Sequence, residues 1–137
     1  MSSQALTICT EAEQSGDLVR LTLTVDLPAG VHIEPHQPTE PYLIPTVLEA
    51  DGLSNVTVDY PEPTVKDLGR RDVTLTVLEG TLKFVVTGRV PAGTNRISGT
   101  LYYQPCVGGA CLPPRTTRWH SPVSGTTAYS VLRALVP

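Results

Sequence analysis

The stretch YYQPCVGGACLPPR, residues 102–115, sets Cys106 and Cys111 apart by only Val-Gly-Gly-Ala, with a double proline close behind. Two thiols at this spacing have three chemistries open to them: a structural disulfide, a disulfide that exchanges with other thiols, or part of a metal site. TLYYQ before them and TTRWHSPV after them read as strands, which predicts that the cysteines face each other across the end of a hairpin. Gly108 and Gly109 permit the positive φ values of a tight reversal. Such a hairpin brings the two Cα atoms within the roughly 4.4–6.8 Å that a disulfide requires.

A structural bridge acts mainly by restricting the unfolded chain, and closing a loop of about six residues yields only about 2 kcal/mol. A bridge meant to hold a sandwich together links distant strands, whereas short exposed bridges are easily reached by other thiols. Spacing alone leaves the exchanging and the structural readings both open. The metal reading would use Cys106, Cys111 and His120, with His32 or His36 in reserve. It lacks the second cysteine pair or regular Cys/His spacing that a four-ligand zinc site shows. The histidines otherwise read as solvated loop residues, and no cofactor is called for. Cys9, in ALTICTE, reads as a small buried hydrophobe on a first strand, left reduced.

The elements that must position the pair are strands. In DLVRLTLTVDL the apolar residues Val19, Leu21, Leu23, Val25 and Leu27 alternate with polar ones, the period of a strand with one buried face. The same period puts Val73, Leu75 and Val77 inward in DVTLTVL, Val56, Val58 and Tyr60 in NVTVDY, and Leu82, Phe84 and Val86 in TLKFVVTG. Pro28-Ala29-Gly30, Asp51-Gly52, Glu79-Gly80 and Pro91-Ala92-Gly93 mark turns between them. Many short strands broken by such turns predict an all-β antiparallel sandwich. EPHQPTEPYLIP carries four prolines and reads as an extended crossing or long loop. YPEPTVKDLGRR reads as a second, polar loop. Tyr129, Leu132 and Val136 are spaced as on a short helix, capped by Thr126 or Thr127. The expected organisation is one domain over residues 1–125 and a short helical tail or linker over 126–137.

The chain has 137 residues, of which 40% are hydrophobic and 17% charged, a balance that permits one packed core. A net charge of -3 argues against nucleic acid as a partner. No apolar run approaches the roughly 18 residues of a membrane span, so no direct membrane insertion is expected. MSSQALTICT lacks a basic-then-apolar signal pattern, so either the protein is cytoplasmic or its signal lies outside this sequence.

GTLYYQPCVGGACLPPRTTRWHSPV resembles the amino-terminal domain of the thiol:disulfide interchange protein DsbD and its DsbD-like relatives. The shared features are a strand ending in Tyr-Gln, a first Cys, a short loop, a second Cys and then Pro. LPAGVHIEPHQP and YPEP carry further, looser likeness, so the resemblance runs from about Asp17 to Val123. It implies an immunoglobulin-like antiparallel sandwich in the periplasm. It also implies a reversible Cys106–Cys111 pair that relays electrons between thioredoxin-like partners, with Cys111 bonded to the partner and Cys106 resolving. In the family a loop shields the disulfide between encounters; Lys66 to Arg71 is the corresponding candidate, although VKDLGRR carries no Phe or Tyr. Family geometry would also bring Glu34 and Asp67 near the pair. Arg115 and Arg118 read as ordinary surface charge. The rival reading is an immunoglobulin-like binding module whose disulfide only stiffens a recognition loop.

Overall fold

Two strands with strict alternation form the middle of the molecule, and the rest is built outward from them. The computed structural model describes residues 4–67, 74–123 and 128–136. In chain order the strands are β1 (Gln4–Ser15), β2 (Leu18–Asp26), β3 (Val31–Ile33), β4 (Val47–Asp51), β5 (Ser54–Asp59), β6 (Thr64–Asp67), β7 (Thr74–Glu79), β8 (Thr81–Arg89), β9 (Arg96–Tyr103), β10 (Cys106–Val107), β11 (Ala110–Cys111), β12 (Arg115–Pro122) and β13 (Ala128–Val136). They pair antiparallel in three sheets ordered β13-β1-β2-β8-β5, β11-β10-β3-β7-β6 and β12-β9-β4. β2 and β8 pair along their full length, and Val19, Leu21, Leu23, Val25, Leu82, Phe84 and Val86 are all buried. Ile33 and Leu78 from the second sheet, and Leu48, Ile97, Leu101, Tyr103 and Trp119 from the third, complete one core with them. This is the expected all-β immunoglobulin-like sandwich.

The turns fall where the glycines predict them, with Gly30, Gly52, Gly80 and Gly93 at φ between 76° and 84°. Residues 34–46 form the predicted long loop. His36 fixes it by stacking on Tyr60, with ring centroids 3.9 Å apart, and by a hydrogen bond between Nδ1 and the Thr46 carbonyl. The Tyr60 hydroxyl in turn accepts from the Leu48 amide, which ties the loop to β4.

Five sequence readings need correction. Val56 is 41% exposed, because β5 shifts register against β8 between Ser54 and Thr57, where Asn55 takes φ 53°. In β7 Val77 is buried as read, but Leu78, opposite Ile33, is the residue that joins the main cluster and Leu75 is only half-buried; Val73 lies outside the described residues. Part of the second polar loop is a strand, β6, paired with β7. Cys9 is half-buried rather than a core residue, because Leu6, Ile8, Thr10 and Ala12 take the core face of β1. The segment read as a helix is β13, which pairs with β1 from Gln4↔Val136 to Ala12↔Ala128. A helix this short is marginal alone, and β1 offers its open edge as a ladder of backbone hydrogen bonds.

Candidate functional site

The cysteines stand on an excursion from a longer hairpin. β9 and β12 pair as far as Tyr103↔Arg115, and the residues between leave their sheet there. The neck is closed by the Leu112 amide donating to the Pro105 carbonyl at 2.9 Å and by Gln104 Nε2 donating to the Leu112 carbonyl at 3.1 Å. Beyond it β10 and β11 form a two-residue ladder, Cys106↔Cys111 and Val107↔Ala110, turned by Gly108 at φ 60°. The ladder docks on β3, with Cys106 opposite His32 and Val107 opposite Val31. The excursion thereby changes sheets.

Cys106 and Cys111 are joined by a disulfide, as the hairpin predicted, and their Cα atoms are 3.9 Å apart. That is closer than the expected span, because the two residues are direct partners in the ladder. Their surroundings differ sharply. Cys106 is 1% exposed, whereas Cys111 is exposed at the rim beside Gly108, Gly109 and Ala110. Of the two, Cys111 is the residue open to solvent.

β3 supplies the polar neighbours. His32 stands between Cys106 on β10 and Glu79 on β7. Lys66 on β6 reaches Glu79 with Nζ 3.0 Å from Oε2. Burial, reinforced by Lys66 and opposed by Glu79, holds the His32 imidazole below its ordinary pKa. Glu34 follows β3 directly. It is 4% exposed, its Oε1 has no hydrogen-bond partner, and burial pushes its carboxyl above the ordinary range. Glu34 thus lies at the end of the strand on which β10 docks. Asp67 ends β6, but its side chain lies outside the described residues, as does the part of the candidate shielding loop from residue 68 onward.

The other candidates go elsewhere. His36 is committed to Tyr60 and Thr46. His120 lies five positions along β12 from Arg115, about 17 Å at strand spacing. Arg118 donates to Asp51 and Thr100, as a surface charge does. Among the described residues no group of three or more His, Cys, Asp or Glu side chains gathers as a metal site would. His32 entered the sequence reading only as a reserve metal ligand; its place beside Cys106 comes from strand pairing between distant segments, which no local pattern reports.

The family model for the N-terminal region of the thiol:disulfide interchange protein DsbD matches residues 4–121. The chain belongs to the DsbD N-terminal domain family. Among solved structures, the N-terminal periplasmic domain of ScsB from Proteus mirabilis shares the fold with a TM-score of 0.61 at 15% identity, covering 82% of this chain and 45% of that one. This chain therefore spans less than half of the ScsB chain. The reduced DsbD N-terminal domain of Neisseria meningitidis is 18% identical, covering 92% of this chain and 89% of its own, with a TM-score of 0.46. A complex between the DsbD and PilB N-terminal domains of the same organism gives 17%, 83% and 80%, with a TM-score of 0.46. No curated protein sequence matches the chain. The DsbD N-terminal family match extends over β1 to β12 and contains both cysteines.

Proposed function

We infer that this chain is an extracytoplasmic thiol–disulfide exchange module that relays electrons between thioredoxin-like proteins, with Cys106 and Cys111 as its reacting residues. The observation that carries the reading is the asymmetry of the bridge: one cysteine is exposed and its direct partner is buried. A thiolate on a reduced partner attacks Cys111 Sγ in line with the S–S bond. The partner–Cys111 bond forms and Cys106 leaves as a thiolate. A second thiol of the partner then attacks its own sulfur, leaving both cysteines of this chain reduced and the partner oxidised. Exchange runs backwards with an oxidised acceptor, so the electrons pass on. A thioredoxin-like partner fits because it brings its own low-pKa thiolate, and among the described residues no helix N-terminus adjoins this pair to lower a thiol pKa here. Family membership supports the exchange chemistry, and the periplasmic setting of the ScsB domain supports a compartment where disulfides persist.

Two measurements test this. The reduction potential, set against glutathione, should lie above about −300 mV, where exchanging bridges sit. Cys106→Ser protein, mixed with a thioredoxin-like protein lacking its resolving cysteine and activated at one thiol, should give a reductant-sensitive adduct through Cys111. A potential well below that limit, together with no adduct from either single-cysteine variant, would make the bridge structural and the domain a binding module.

A further inference from the structure

The pairing of β3 puts four reactive side chains in line. Cys111, Cys106, His32 and Glu79 are successive cross-strand partners on the adjacent strands β11, β10, β3 and β7. Direct partners project to the same face, with Cβ atoms roughly 4.5–5.5 Å apart. That brings an imidazole within reach of a thiol, directly or through one water. The groups facing His32 are Cys106 from β10, and Glu79 from β7 with Lys66 from β6, which are paired with each other. Glu34 lies two positions along its own segment.

Of the two sulfurs Cys106 has the harder task. It must be a thiolate when it attacks and when it departs, yet it is 1% exposed, and a thiolate without water is costly. We propose that His32 carries the proton of Cys106, taking it as the thiol attacks and returning it when exchange releases the thiolate. This rests on the reading of Cys106–Cys111 as an exchanging pair. With burial and Lys66 holding the imidazole below its ordinary value, it is neutral near pH 7 and free to accept. Glu79, paired with Lys66, stands opposite His32 on β7. In the oxidising direction Cys106 Sγ attacks Cys111 Sγ of a mixed disulfide. The Cys106–Cys111 bond forms, the partner's thiolate leaves with the electron pair of the broken bond, and the Cys106 proton passes to His32 Nδ1 or Nε2 and then to water.

An aryl disulfide with a coloured thiolate, dithiobis(nitrobenzoate), tests this without a protein partner. Reduced Cys9→Ser protein should release two aryl thiolates in succession. Cys111 displaces the first; Cys106 displaces the second by attacking Cys111 Sγ. Two thiols become one disulfide, one aryl disulfide becomes two thiolates, and two protons reach solvent. With His32 present, the second phase should be nearly flat from pH 7 to 8. In His32→Gln it should climb about tenfold per pH unit, as thiolate fraction does, and run at least about tenfold slower at pH 7. The two proteins should converge near pH 10, where the thiol has lost its proton unaided. His32→Phe, which keeps a ring on a strand but offers no base, should behave as His32→Gln does. Equal slopes in all three proteins, or slowing of both phases by the same factor at every pH, would overturn the assignment and leave His32 a packing residue. A failed partner adduct in the Cys106→Ser experiment, with these slopes intact, would strike the relay and not the proton transfer.

Discussion

Cys106 and Cys111 are chemically alike, and burial is what distinguishes them: Cys106 is buried and Cys111 exposed, the difference on which the proposed exchange rests. Burial also sets the state of Glu34, a residue 4% exposed with one carboxylate oxygen buried and unpartnered. Its pKa is raised above the ordinary value of 4.5 by desolvation, so the folded protein binds a proton there more tightly than the unfolded chain does. Stability from this site is therefore complete below the unfolded value and is lost as pH climbs through the folded one. Glu34→Gln keeps the shape and removes the titration. It should melt close to the parent at pH 4 and a few degrees above it at pH 7, on the order of what small changes give in a domain this size. Melting curves across that range are the check; a variant less stable at pH 7 would mean that the charged carboxylate has a partner.

Among the elements, legibility followed locality. The alternation in β2 and β8 was plain because both strands bury one face along their whole length, and the cysteine hairpin was plain because its turn lies between its own partners. Val56 misled because a bulge at Asn55 breaks the period within a single strand. The docking of β10 on β3, which gives Cys106 its histidine, joins segments far apart in the chain and leaves no local mark. The last segment misled for a related reason: helical spacing was present, but the edge of β1 decided its structure. That register is testable through Cys9, whose direct partner on β13 is Val131. In a protein with the loop cysteines replaced, Val131→Cys should form a disulfide with Cys9 in air, because direct antiparallel partners approach disulfide distance. Leu132→Cys, one position along and paired with Ile8 rather than Cys9, should remain a free thiol. Peptide mapping without reductant separates the two cases, and cross-linking of both or of neither would deny the register.

At the scale of the whole molecule, a relay must keep its fold while its bridge opens and closes. The core meets this requirement because it lies among the three sheets and does not include the bridge: Cys106 is buried, but it is not a member of the cluster joining Leu6, Leu23, Phe84, Leu101 and Trp119. The bridge closes a loop of sequence separation 5, so its loss releases little chain entropy. About 2 kcal/mol is at stake, against a typical total of roughly 5–15 kcal/mol. The double variant Cys106→Ser, Cys111→Ser should therefore still unfold cooperatively, with its melting temperature lowered on the order of 10 °C. Amide exchange should quicken in β10, β11 and the facing residues of β3, while β2 and β8 stay protected, since opening there requires the core itself to part. If cooperativity is lost, or protection falls throughout β2 and β8, the bridge holds the sandwich together, and a protein that must reduce it in every cycle could not work as a relay.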